Sequence, residues 1–199
     1  KPMWKDLELE TGELWDKVYG ENYLNWWHPD SKSGEGTVKE ADRRIKVING
    51  IIKDYNIESI LDLGCGDLYW AEKLDLDKIK RYAGVDISKV CVGENLYKET
   101  DTLEIYQCDI SDPNDNYRFH SPRTTKYPKN EWDLVMMFDI LNHCIQEEID
   151  EMPVNIELHP KWKWKTIKSD EEFHLTDIKT NQGQLPQGNE CLDLYKINE

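Results

Sequence analysis

Hydrophobic and polar positions along the chain switch between two periods. From residue 7 to 25, apolar and aromatic residues fall at Leu7, Leu9, Leu14, Trp15, Val18, Tyr19, Tyr23 and Leu24. Steps of mostly three or four predict one or two short amphipathic helices. Trp26-Trp27-His28-Pro29 ends them, and residues 29–37 read as a loop, either a solvated connector or a lid. Helical spacing returns at Val38, Ala41, Ile45, Val47, Ile48, Ile51 and Ile52 and runs to about Tyr55.

Short, strongly apolar runs then take over. Ile60–Leu63, Lys80–Ile87, Leu103–Asp109 and Trp132–Phe138 read as four strands, with helical stretches from the turn after Leu63 to about Leu76 and again after Ser88. Strand and helix alternating at spacings of about twenty-odd residues predict a doubly wound, mostly parallel, Rossmann-like α/β sheet, whose ligands sit at the carboxyl ends of the strands. The chain beyond Cys144 fits less well: residues 145–154 contain no apolar run suited to a central fifth strand. A reduced C-terminal edge and a lost segment both stay open. Residues 161–168 alternate strictly, with Trp162 and Trp164 on one face and lysines on the other. They read as an edge strand guarded by charge or as a basic aromatic surface. Residues 191–197 read as a final strand.

At 199 residues this is a single domain: an N-terminal part with the lid loop (1–37), an α/β core (38–145) and a C-terminal segment with edge strands (146–199). It opens on Lys1 without an initiator Met, which leaves room for a longer parent chain, and residues 1–6 lack the apolar core of a signal peptide. No apolar run approaches membrane-spanning length. A net charge of -15 disfavours nucleic acid as a partner. Cys65, Cys91, Cys108, Cys144 and Cys191 are widely spaced without a Cys-x-x-Cys pair. Unpaired thiols and a cytoplasmic setting are expected, and no structural zinc site.

The candidate chemistry gathers at the predicted strand ends. Ile60-Leu61-Asp62-Leu63-Gly64-Cys65-Gly66-Asp67 carries two glycines one residue apart, where backbone without side chains lets a nucleotide-like ligand approach. Asp86 ends the second strand, where a carboxylate accepts both hydrogen bonds of a ribose diol, and Asp109 ends the third. Phe138 and Asp139 close the fourth. Singly, each acid also reads as a turn former or helix cap; three in register is a pattern that caps do not require.

Taken in order, Leu61–Asp67, Tyr82–Ser88, Cys108–Ile110 and Trp132–Val135 with Phe138–His143 resemble the motifs of the class I S-adenosylmethionine-dependent methyltransferases, over about residues 38–145. The resemblance implies that S-adenosylmethionine is the cofactor. Asp62, Gly64, Cys65 and Gly66 would lie along its methionine part, Asp86 on the ribose, Asp109 on adenine with Ile87 and Ile110 flanking the ring, and Phe138 nearby. Ser33–Thr37 resembles a glycine-rich segment that covers the cofactor in some members. Leu68 stands where the family places a third glycine.

The acceptor is less defined. His143 and Asp139, four residues apart, share a face if helical and are the candidate catalytic pair, though a histidine there also serves as packing. Trp27, His28 and Gly34 are candidates for the substrate pocket by family analogy. The expected reaction is O-methylation of a small molecule or a glycan. A nucleic acid or protein methyltransferase and a non-catalytic cofactor-binding module are the alternatives, and an NAD-dependent oxidoreductase is disfavoured by the absent third glycine. No residue spacing demands a metal, although Asp109, Asp133 and Asp139 could be gathered by the fold. Oligomeric state is not encoded in any motif.

Overall fold

The computed structural model describes residues 9–112, 132–144, 149, 163–167, 172–174 and 193–197. Four strands form where the apolar runs predict them: β1 (Ser59–Leu63), β2 (Arg81–Asp86), β3 (Leu103–Gln107) and β4 (Leu134–Phe138). They pair in parallel in the order β3-β2-β1-β4. β1 and β4, buried along nearly their whole length, are the central pair, as continuous apolar strands of a covered sheet must be.

Among the described residues three helices dress this half. α1 (Thr11–Glu21) ends on Asn22 in the left-handed conformation, and α2 (Glu35–Asp54) starts directly after Gly34. The expected loop is therefore shorter than residues 29–37, because the first turn of α2 already uses Glu35, Gly36 and Thr37. α3 (Lys89–Asn95) is capped by the Ser88 hydroxyl, which accepts from the Cys91 N–H at 3.1 Å. Ala41, Ile48, Ile51 and Ile52 of α2 pack with Ile60, Tyr82, Leu103, Leu134 and Met136 on one face of the sheet. Leu61, Leu63, Val85, Tyr106 and Met137 point to the other, where Leu141, Ile149 and Trp164 meet them. Each large side chain so removed from water contributes about 1.5–3 kcal/mol before entropy is charged against it.

The far half departs from a parallel sheet. β7 (Asp193–Ile197) lies antiparallel beside β4, followed by β5 (Lys163–Thr166) and β6 (Glu172–His174), giving seven strands in the order β3-β2-β1-β4-β7-β5-β6. The weak signal after Cys144 is thus matched by an antiparallel neighbour on β4. Trp164 is fully buried, so among the two readings of residues 161–168 its ring belongs to the core and offers no surface for a sugar. Trp162 and Cys191 lie outside the described residues.

One expected helix is corrected. After the glycine turn the chain forms only a 3-10 turn at Ala71–Lys73, and Leu74 is already extended (φ -69°, ψ 154°). Leu68 takes a left-handed φ of 61°, and Asp75 turns away to donate its N–H to Asn49 Oδ1 at 2.9 Å. Leu68 therefore adopts the backbone conformation that a third glycine would adopt without strain, held there because its side chain is fully buried.

Candidate active site

Strand register brings the predicted residues into one row. Leu63 pairs with Val85 and Met137, so the next position on each strand places Gly64, Asp86 and Phe138 side by side at the carboxyl edge. Asp86 in turn pairs with Gln107 on β3, and Cys108 donates to the Asp86 carbonyl at 2.9 Å, which sets Asp109 one residue beyond. The glycine turn is folded back on β2: the N–H groups of Gly64 and Cys65 both donate to the Val85 carbonyl, at 2.7 and 3.0 Å.

Asp86 is the centre of this row. Its Oδ2 accepts the Gly66 N–H at 3.0 Å and its Oδ1 the Ser88 N–H at 2.9 Å, tying the turn to the start of α3. Burial pushes its carboxyl up to about 6, against the opposing pull of those two N–H bonds. A carboxylate has about four acceptor positions, so each oxygen keeps a lone pair for a further donor. Asp86 is therefore a buried member of the turn's own structure that keeps acceptor capacity.

Asp62 faces the α2 side. It takes the hydroxyl hydrogen bond of Tyr82, and burial pushes its carboxyl up to about 7. Arg44 lowers it from across the layer; the guanidinium is itself buried and holds Asp193 at the start of β7 through Nε at 3.0 Å and a terminal nitrogen at 2.6 Å. Asp109 behaves as a turn former: its Oδ1 accepts the Ser111 N–H at 2.9 Å and the Ser111 hydroxyl at 2.6 Å. Ile110 is buried on the second face of the sheet, and Ile87 packs toward Gly12 of α1. Phe138 is buried with Trp70 at 5.2 Å and the Arg44 guanidinium at 5.5 Å from its ring.

The two turn glycines have a structural reason beyond ligand access. Both have positive φ, 71° at Gly64 and 55° at Gly66. A Cβ on Gly64 would overlap the end of Ile140 and lie 2.6 Å from its Cγ1; one on Gly66 would run into the Ser33 hydroxyl and stand 3.0 Å from the Tyr19 hydroxyl. The space read from sequence as open to a ligand is, on that side of each glycine, filled by the protein's own side chains. Cys65 likewise turns inward, its Sγ facing Gly84, so only its backbone lies along the turn.

Sequence reasoning missed the group that holds the N-terminal segment here. The Asp67 carboxylate accepts the Ser31 hydroxyl at 2.9 Å, the Lys32 N–H at 2.7 Å and the Ser33 hydroxyl at 3.0 Å, and Ser33 in turn meets Tyr19 at 3.1 Å. Asp67 was visible as the acid after the glycines; its partners, more than thirty residues upstream, were not.

The expected catalytic pair is brought together, by a different route from a helix. Asp139 has a left-handed φ of 56°, and Leu141–His143 is a single 3-10 turn. His143 Nε2 lies 3.8 Å from Asp139 Oδ1, and Asn142 donates to the same oxygen at 3.0 Å. The rings next to His143 are Trp15, at 5.2 Å, and Trp26, at 5.7 Å. Of the expected substrate-pocket residues, Trp27 donates its indole N–H to the Val18 carbonyl under Lys32, His28 sits in a small turn accepting from the Asp30 N–H, and Gly34 (φ 96°) precedes α2. Asp133 is at the opposite, amino end of the sheet, bonded to the N–H groups of Glu58 and Ser59, so the trio Asp109, Asp133 and Asp139 is not gathered. Among the described residues no group of three His, Cys, Asp or Glu side chains is arranged to hold a metal ion.

A parallel β3-β2-β1-β4 sheet, a glycine turn after β1 and an acid closing β2 define a Rossmann-like α/β fold. No family model and no curated protein matches the chain. Solved structures do: magnesium protoporphyrin IX methyltransferase (ChlM) from Synechocystis PCC 6803 with bound SAM is 14% identical over 94% of this chain and 90% of that one, with a TM-score of 0.49. The same enzyme with bound SAH gives 16% identity, 94% and 93% coverage and a TM-score of 0.48. The methyltransferase domain of bacterial CtHen1 is 15% identical over 56% of this chain, which spans 57% of that domain, with a TM-score of 0.43. None of these scores reaches 0.5, so the Rossmann-like assignment stands on the strand order and the turn geometry alone.

Proposed function

We propose that this chain transfers a methyl group from S-adenosylmethionine to a hydroxyl of a small molecule or glycan, with His143 as the base and Asp139 beside it. The observation that carries the reading is Asp86: an ionisable carboxylate at the sheet's carboxyl edge, fixed by the Gly66 and Ser88 N–H groups, with acceptor capacity left for a ribose diol. Asp109 lies one strand further along for the adenine end, and Gly64–Gly66 offer turn backbone for the methionine end.

The cofactor, when bound, supplies a methyl already activated on a sulfonium. What the chain must do is hold the acceptor oxygen in line and keep water out. His143 takes the acceptor's hydroxyl proton on an imidazole nitrogen, with the Asp139 carboxylate 3.8 Å from Nε2. The surface supports a neutral acceptor over a nucleic acid, since the net charge is -15. Cys65 and Cys91 are buried free thiols, in keeping with a reducing compartment such as the cytoplasm.

Asp86→Asn tests the cofactor site. The amide keeps the shape but replaces one acceptor with a donor, so S-adenosylhomocysteine affinity measured by calorimetry should fall by about tenfold or more, the worth of one charged hydrogen bond. Wild-type affinity in that variant would remove the site. A mass-spectrometric search for a 14 Da gain, the mass of the added CH₂ and so about one methyl group, across sugars, glycans and small alcohols identifies the acceptor. His143→Ala should then lower turnover by about a hundredfold with little change in cofactor affinity.

A further inference from the structure

The 3-10 turn that carries His143 is a single turn long, and the imidazole swings about two torsions from it. Asp139 Oδ1 stands 3.8 Å from Nε2 on one side of the ring. Two indoles also stand against it. Trp15 meets the imidazole nearly at right angles (82°, centroids 5.2 Å apart), Trp26 is tilted at 49° and 5.7 Å, and the two indoles contact each other at 5.9 Å. The three rings form a closed triangle, an arrangement in which edge-to-face contacts fix orientation as well as position.

Both indoles belong to the N-terminal segment, and that segment is registered on the cofactor side of the row. Asp16, the neighbour of Trp15, accepts the Ser88 hydroxyl at 2.9 Å and the Val90 N–H at 3.1 Å, next to where Asp86 receives the Ser88 N–H. Tyr19, one helical turn on from Trp15, meets Ser33 above Gly66. Trp26 is set by its neighbour Trp27, whose N–H reaches Asn22 Oδ1 at 3.0 Å and whose indole reaches the Val18 carbonyl at 2.7 Å.

From this we infer that Trp15, seconded by Trp26, is a positioning residue for His143: α1 holds the ring of the base in the orientation that faces the acceptor. The inference rests on the assignment of His143 as base. Acting through the His143 ring, Trp15 should on removal be felt in turnover and not in cofactor binding.

The test compares Trp15→Ala, Trp15→Phe and His143→Ala in the full chain, with the acceptor found by the mass search. Trp15→Ala should lower kcat by about tenfold, the scale on which misorientation of a base acts, with S-adenosylhomocysteine affinity changed by no more than about twofold. Trp15→Phe, which keeps a ring edge, should recover most of the loss. Proton NMR of the imidazole should show the ring-current displacement of His143 reduced in Trp15→Ala and retained in Trp15→Phe. Loss of turnover in His143→Ala together with full turnover in Trp15→Ala would overturn the inference alone. Full turnover in His143→Ala would remove the base, and the inference with it. Equal loss of kcat in Trp15→Ala and Trp15→Phe, with the ring-current displacement unchanged in both, would also overturn it.

Discussion

At Gly64 two demands fall on one atom. The φ of 71° lies where an L side chain is strained, and the missing Cβ leaves the volume into which Ile140 packs. Gly64→Ala should therefore cost about 2–4 kcal/mol, strain and overpacking together. Urea denaturation measures it, and the double variant Gly64→Ala/Ile140→Ala should recover part of the loss, since the two residues share one space. Equal costs with and without Ile140 would leave backbone strain as the whole cause. The same pair shows why glycines in a turn are a mixed signal: the sequence marked Gly64 as a place for close approach, and the group that approaches on that side is Ile140.

Among the elements, the segment from α1 to the start of α2 depends on Asp67. Its carboxylate gathers Ser31, Lys32 and Ser33 above the glycine turn, and among the described residues no second acid takes those three donors. Asp67→Ala should leave the sheet intact while amide exchange rises across about residues 22–34, read by hydrogen exchange; unchanged protection there would show that Trp27 and Tyr19 hold the segment without it. β1 to β4 and α2 were legible because each is a long apolar run or a clean 3.6-residue period. The row of Gly64, Asp86 and Asp109 was legible because parallel strands end in register. The helix after the turn was misread because Tyr69–Leu74 has helical spacing while Leu68 and Asp75 redirect the backbone. The ring contacts of His143 were not legible at all, since Trp15 lies 128 positions upstream by the numbering and no local pattern links two segments across a sheet edge.

For the molecule as a whole, two buried acids set a pH dependence. Asp62 and Asp86 are raised from the ordinary 3.8 to about 7 and about 6. Between those values the folded protein keeps protons that the unfolded chain has released, so both acids make the fold less stable as pH rises from about 4 to about 7, and add no further slope above that. Thermal melts without cofactor should fall through this window, and Asp62→Asn should flatten the part near neutrality; an unchanged slope in the variant would exclude Asp62 as its source. On the proposed ribose contact, cofactor affinity should move the other way, strengthening as Asp86 ionises through about pH 6, since the carboxylate would be the acceptor. Calorimetry at pH 5 and pH 8, on either side of about that value, reads the opposition directly.

The sheet order places β7 between β4 and β5, although it is the last of the described strands in the chain. While the polypeptide is being synthesised, β4 therefore has no described strand on that flank, and the β5–β6 pair has no described link to the sheet, until β7 arrives and Asp193 meets Arg44. An apolar edge left open for that interval is a template for pairing with another nascent chain, so yield on expression should respond to chaperone supply and to temperature more than the finished protein's stability would suggest.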